Sequence, residues 1–430
     1  MNVLLIGSGG REHALAHKIK ESTQLKNFYI SPGNPGTELL GKNVDINLSN
    51  NNELLNFCSQ NNIDLIVIGP EKPLVDGTAD LLRQAGSKVF GPSAEAAQIE
   101  ASKSFAKNIM SKYNVPTSSY VEFSAEQYDE AINYCNKINY PLVIKADGLA
   151  AGKGVLICNN SEEAKLALND TLKEKVFGAS GEKIIIEEFM VGEEASIFAI
   201  TDGEDFVILP SAQDHKRIGE NDTGKNTGGM GAYSPAPLIN DDLLNEIKTK
   251  IIKPVIEGLR KENKKFVGCL YAGLMITNEG PKVVEFNCRF GDPETQAVLP
   301  LLIGDFLELL YSAAKGKINK NAVSYNDGSA VCVVASSNGY PGSYEKGKVI
   351  NGLDKNYDDI LVFHAGTKKQ EDKIVTSGGR VLNVVSKIKT NDLKFAKEKA
   401  YDALSKINFD GMYFRKDIAD KGIKRQIEER

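Results

Sequence analysis

The first hundred residues alternate short apolar runs with amphipathic ones: NVLLIG, then REHALAHKIKES, then NFYIS, later DLIVIGP and KVFGP. Short apolar runs closed by Gly, Pro or Ser read as buried strands, and the segment between them has the period of a helix. This β-α-β rhythm is that of an open parallel sheet, with ligands at the carboxyl ends of its strands.

The first turn, GSGGREHAL, has part of a dinucleotide fingerprint and fails it. The pattern from Gly7 requires Gly at position 12, where Glu12 stands, and the next strand ends in Ser31 without an acid for a ribose. What survives is a helix start whose free amides carry about +0.5 charge, which suits a phosphate beside Gly9, Gly10 and Arg11. Two further strand-end loops, SPGNPGTE with Asn34 and GPEKPLVDG with Gly69, Glu71 and Asp76, point to the same crevice. Together they indicate a small phosphorylated sugar.

A chain of 430 residues exceeds one core, so several domains are expected. The boundaries read as an amino-terminal α/β domain over 1–101, a central domain over 102–326 with a lid subdomain at about 118–192, and a strand-rich α+β domain over 327–430. With 52 Lys+Arg against 57 Asp+Glu, no broad basic surface exists for nucleic acid or a membrane. MNVLLIGSGG has no basic n-region and too short an apolar run for a signal peptide, so a cytoplasmic protein is expected. The 6 cysteines lack any CxxC pair and read as buried thiols. His13 and His17 have helical metal-pair spacing, but Ala14 follows the first and no third ligand is evident.

From Ser93 the segment SAEAAQIEASKSFAKNIMSKY reads as one helix carrying Lys103. Farther on, LVIK and VLIC are short strands joined by ADGLAAGKG, with Lys145 ending the first strand and Gly152 and Lys153 in the loop. It is not a P-loop, because Gly148 and Gly152 stand too close, Gly154 replaces the Ser or Thr, and a strand follows. A glycine loop between strands can still close over phosphates, with Lys145 as a fixed cation. The turn IIEEFMVGEE brings Glu187, Glu188, Phe189 and Glu194 to a crossover that suits a purine and its ribose.

Residues 214–237, DHKRIGENDTGKNTGGMGAYSPAP, show no periodicity and read as a long binding loop. The helix DDLLNEIKTKIIKPVIEGLRKEN packs through Leu244, Ile247, Ile251, Val255 and Leu259. The strand PKVVEFNCRF then puts Glu285, Asn287 and Arg289 on one face, opposite Val284, Phe286 and Cys288. An acid and an amide two places apart are hard oxygen ligands able to hold one Mg²⁺. The last ten residues, KGIKRQIEER, read as a solvated end.

KADGLAAGKGV, IIEEFMVGEEAS, DHKR, NTGGMGAYSP and VVEFNCRFGDPETQ together resemble the ATP-grasp superfamily, and within it the glycinamide ribonucleotide synthetase family. The resemblance implies a central ATP-grasp fold with a mobile lid and an ATP-dependent ligation of glycine to 5-phosphoribosylamine through a glycyl phosphate. It implies Mg²⁺ or Mn²⁺ on Glu285 and Asn287, and catalysis by Arg289, Lys145, Asp214 and Lys216. ATP would meet Lys103, Lys145, Gly152, Lys153, Glu187, Glu188, Phe189 and Glu194. The substrates would meet His215, Gly229, Met230, Arg289 and Asp292 as well as the amino-terminal crevice. The partners implied are the small molecules ATP, glycine and phosphoribosylamine, with room for transient contact with neighbouring purine-pathway enzymes. Two other readings are another ATP-grasp carboxylate-amine ligase and a nucleotide-binding regulator without turnover.

Overall fold

The computed structural model describes residues 1–149, 154–325, 327–354 and 358–428. Its amino-terminal sheet is parallel, in the order Lys42–Asn43, Asn27–Pro32, Asn2–Gly7, Leu65–Ile68, Val89–Phe90. Val3, Leu4, Leu5 and Ile6 are all buried, as a strand covered on both faces requires. The strand order reverses beside Asn2–Gly7, which opens a crevice at its carboxyl end and that of Leu65–Ile68.

Two antiparallel sheets follow. The lid sheet runs Tyr120–Ser124, Lys183–Glu188, Leu142–Ala146, Val155–Cys158, and has its own core around Ala131, Leu142, Ile144, Ile184 and Ile186. The palm sheet runs Phe206–Ile208, Glu193–Thr201, Gly268–Thr277, Gly280–Asn287. Behind the palm lies the helical run Asp241–Ile247, Lys248–Ile252, Lys253–Lys261, which buries Ile247, Ile251, Val255 and Leu259. Its middle part is π-helical, and Pro254, which has no N–H to donate, follows at once.

The carboxyl-terminal sheet is ordered Gln213–Asp214, Gly231–Ser234, Ser329–Ser337, Arg380–Ile388, Ile360–His364. Asp214 of the first strand and all of the second come from 214–237, so part of the long binding loop expected there is strand. It also folds back on itself as the hairpin Arg217–Gly219 with Thr223–Asn226. The hairpin is held from outside: Tyr413 Oη donates to Ile218 O at 2.9 Å and Arg415 Nη1 to Arg217 O at 3.0 Å.

Three other expectations are corrected. The helix from Ser93 is two helices, Ala94–Ala101 and Lys103–Lys112, because Ser102 is extended and caps the second through Phe105 N. The terminal segment is the helix Asp420–Glu428, which packs Gly422 against the Tyr233 ring and pairs Arg425 with Glu193. The strand Gly280–Asn287 changes phase at a bulge: Gly273 faces Glu285 while Leu274 faces Val283, leaving Val284 without a partner residue. Val283 is therefore buried with Phe286 and Cys288, and Val284 is half-buried.

Candidate functional site

The bulge sets the site. It turns Glu285 toward the gap between palm and lid, and the freed Val284 carbonyl accepts Lys145 Nζ from the lid strand at 3.1 Å. Burial would raise the Glu285 carboxyl, but Lys216, Lys145, Lys103 and Arg289 overcome it and hold the group below the usual carboxylate range. Asn287 is buried, and its carboxamide has no hydrogen-bond partner among the described residues. An ionised carboxylate next to an unengaged amide oxygen suits a hard divalent cation.

Lys145 is also 2.8 Å from Glu187 Oε2. Glu187 is buried, pairs through Oε1 with Lys107 at 3.2 Å and accepts Ser118 Oγ at 3.1 Å. Expected as a purine contact, its carboxylate is instead enclosed by two lysines and a hydroxyl. Glu188 is exposed, held by Ser119 Oγ at 2.9 Å, with Phe189 partly exposed after it. Lys103 donates to Gly148 O at 2.8 Å at the mouth of the glycine loop. Burial lowers its pKa from the usual lysine range, with Glu285 opposing. Gly152 and Lys153 lie outside the described residues.

Alternation along Asp214, His215 and Lys216 divides their roles. Lys216 pairs with Glu194 from the palm, and its pKa is raised, against burial, by Glu194, Asp214, Tyr271 and Glu285. Burial pushes the Asp214 carboxyl up to about 8; Lys216 opposes this and Glu294, Glu194 and Glu285 add to it. His215 faces the other way, 6.0 Å from the Tyr233 ring, and neither ring nitrogen has a partner. Burial and then Arg415 lower it to about 4, so it is neutral at physiological pH and stands apart from the Glu285 cluster. Met230 is fully buried, with its amide and carbonyl held by His215 O and Val334 N.

At Gly229 φ is +109°, and a Cβ would overlap Pro293, which packs the turn against the loop that carries Asp292. Asp292 stays below the usual carboxylate range despite burial, through Arg380, Arg11 and a 2.8 Å hydrogen bond from Gln296 Nε2.

The amino-terminal crevice differs most from expectation. Gly9 N–H donates to Glu12 Oε2 at 2.7 Å and Arg11 N–H faces Asp292 Oδ2 at 3.4 Å, so the helix start expected to take a phosphate already meets two carboxylates. Gly10 packs against Gln296 of the helix Glu294–Val298 and against Asn383 of the carboxyl-terminal sheet. The Arg11 side chain is buried on Glu12 Oε1 and on Phe290 O, at 2.6 and 3.0 Å. Glu12 folds against Gly7 and Gly69, filling the space that a third glycine would leave. Asn34 has its amide hydrogens on Ser8 O and His364 O and its oxygen on Gly36 N and Thr37 N, so it braces the loop and has no donor left for a ligand. Asp76 lies outside in an exposed pair with Lys72. Glu71 reaches the site, 3.4 Å from Arg289 Nε, while Arg289 Nη2 lies 3.1 Å from Glu100 Oε1. His13 sits against the carboxyl-terminal sheet, where its Nδ1 accepts the His364 amide at 2.8 Å.

Sequence reasoning missed Lys107, Glu100, Tyr340 and Arg380. Glu100 Oε2 fixes the Cys288 amide at 2.8 Å, and Gly228 N–H donates to Tyr340 Oη at 2.9 Å.

Residues 1–100, 101–295 and 330–421 match, in turn, the N domain, the ATP-grasp (A) domain and the C domain of phosphoribosylglycinamide synthetase. The chain is 49% identical to the phosphoribosylamine-glycine ligase of Caldanaerobacter subterraneus subsp. tengcongensis, over 97% of this chain and 99% of that one. It is 46% identical to the enzyme of that name from Escherichia coli O157:H7, over 99% and 100%. A solved phosphoribosylamine-glycine ligase from Thermotoga maritima superposes with a TM-score of 0.86 at 34% identity, covering 97% of this chain and all of that one. A biotin carboxylase from Campylobacter jejuni, at 15% identity and a TM-score of 0.74, shares the fold alone.

Proposed function

Since this chain belongs to the phosphoribosylglycinamide synthetase family, we propose that it joins glycine to 5-phosphoribosylamine by activating the glycine carboxylate on the Glu285 face. The activity is that of an ATP-dependent ligase of purine biosynthesis, forming glycinamide ribonucleotide with release of ADP and phosphate. The observation that carries the mechanism is the bulge at Val284, which brings Glu285 and Lys145 to one gap between lid and palm.

A carboxylate is a poor acyl donor. Its oxygen therefore attacks the γ-phosphorus of ATP, ADP leaves, and the sugar amine displaces phosphate from the glycyl phosphate while losing a proton. Phosphoryl transfer of this kind needs positioning and charge neutralisation more than covalent help. Lys145 from the lid strand and Lys103 from the helix Lys103–Lys112 supply cations, and Glu188, Phe189 and Glu194 border the nucleotide. Glu285 and Asn287 would hold Mg²⁺, which neutralises the triphosphate when bound. Arg289, anchored by Glu100 and Glu71, faces the transferred group from the opposite wall. Asp214 and Lys216 flank the glycine. The sugar lies toward Glu71 and Asp292, beyond the carboxylates that cap the first helix. The reading is of a cytoplasmic enzyme, supported by six cysteines that are all free and buried.

The experiment is isotopic. Glycine labelled with ¹⁸O in its carboxylate transfers one labelled oxygen to inorganic phosphate if a glycyl phosphate forms. Turnover that leaves the phosphate unlabelled rejects the mechanism.

A further inference from the structure

Lys107 stands one helical turn beyond Lys103 and is 2% exposed. Its ammonium donates to Thr117 Oγ1 and Ser118 Oγ, both at 2.8 Å, and to Ser118 O at 3.3 Å, and pairs with Glu187 at 3.2 Å. Thr117 and Ser118 lead into the lid sheet, whose first strand begins at Tyr120, and Glu187 lies near the end of Lys183–Glu188, from which the chain leaves it. One buried cation thus fastens both connections of the lid to the body.

The contacts close a circuit. Thr117 Oγ1, which accepts from Lys107, donates to Val283 O at 2.7 Å, and Val283 N–H returns to Pro116 O at 2.8 Å. Val283 is the residue before the bulge, and the bulge carbonyl of Val284 accepts Lys145, whose ammonium shares Glu187 with Lys107. An ammonium taken from water costs several kcal/mol unless every donor is matched, and here the matching groups all lead to the site.

We infer that Lys107 is a positioning residue for the nucleotide site: through Glu187 it sets the Lys145 ammonium, and through Thr117 it sets the bulge that aims Glu285. This rests on the nucleotide reading of the cleft given above. Without the Lys107 charge, Glu187 pairs with Lys145 alone and draws its ammonium back from the cleft.

The test compares the full-length wild type with Lys107→Met, which keeps the length of the stem. MgADP titrated into each by calorimetry should bind about tenfold more weakly to the variant, and kcat should fall by a similar factor, with KM for glycine unchanged. In a Lys145→Met background the same substitution should add little, since much of its effect passes through Lys145. Thr117→Val, which leaves both lysines in place, should weaken MgADP in the same direction by a smaller factor. A folded Lys107→Met with wild-type MgADP affinity and kcat overturns the inference, as does full additivity with Lys145→Met. Should Lys107→Met not fold, wild-type binding and turnover in Thr117→Val overturn it instead. A wild type that binds MgADP without joining glycine rejects the ligase reading alone and leaves the binding comparison standing.

Discussion

Arg380 Nη1 donates to the main-chain carbonyl of Asp292 at 2.8 Å and lies 3.3 Å from its carboxylate, across 88 residues of sequence. The same nitrogen bonds Gly228 O, so one guanidinium from the carboxyl-terminal sheet joins the glycine turn to the loop beside the amino-terminal crevice. Arg380→Ala removes the join without touching the proposed metal or nucleotide groups. Steady-state assays should show kcat/KM for phosphoribosylamine reduced about 10- to 100-fold, because small misplacements of reacting groups carry penalties of that order. MgADP affinity should be unchanged; a variant that loses nucleotide binding instead would place Arg380 elsewhere in the mechanism.

Glu285→Ala should reduce turnover by about three orders of magnitude, the scale of several kcal/mol of lost charge stabilisation at the phosphates. The strand should still form, since its partner registers with Gly268–Thr277 are main-chain bonds and its packing residues are Val283 and Phe286. ADP release measured across a Mg²⁺ titration checks this, with far-UV circular dichroism as the control for folding. Activity near wild type at ordinary Mg²⁺ would remove Glu285 from the metal site.

Asp214 makes the ligand-free enzyme pH-sensitive. Its carboxyl is pushed up to about 8 from an ordinary value near 3.8, chiefly by burial and then by Glu294, Glu194 and Glu285 against Lys216. The folded state thus holds a proton that the unfolded chain has lost, so the stability contributed by this one group is full below about pH 4 and is lost as pH rises toward 8. Asp214→Asn cannot release that proton. Thermal unfolding of the ligand-free proteins should therefore show Tm declining less between pH 6 and 8 in the variant than in the wild type. Equal slopes would mean that Asp214 is ionised in the free enzyme.

Much of this was legible in the sequence, for identifiable reasons. The parallel sheet declared itself because strands such as NVLLIG and DLIVIGP are buried on both faces and end at glycine. Glu285 stood out because an acid and an amide share a strand face. The phase change at Val284 did not, since two adjacent valines fit either alternation and the slip is set by the partner strand at Gly273 and Leu274. The ion pair of Glu187 with Lys107 was not legible, because Lys107 is an apparently ordinary helical lysine whose burial depends on the lid connection folding over it. The hairpin from Arg217 to Asn226 carries no strand pattern of its own, and its order comes from Tyr413 and Arg415 far along the chain. Asn34 and Gly10 sit on loops that look like ligand loops, yet both pack against the carboxyl-terminal sheet, which local sequence cannot reveal.

Glu12 supplies the last prediction, because it stands where a dinucleotide fingerprint has its third glycine and it holds the start of the first helix. Its carboxylate caps Gly9 N–H at 2.7 Å and accepts Arg11 Nε at 2.6 Å, while its stem lies against Gly7 and Gly69. A methyl group at Gly69 would overlap that stem, so Gly69→Ala should push Glu12 off the helix start and destabilise the protein by about 1–3 kcal/mol. Glu12→Ala loses the cap and should cost about 0.5–2 kcal/mol by itself. In the double variant the added methyl has no stem to strike. Urea unfolding of all four proteins should therefore give a combined loss clearly smaller than the sum of the two single losses. Losses that simply add would show that Gly69 is required for a reason other than the side chain of Glu12.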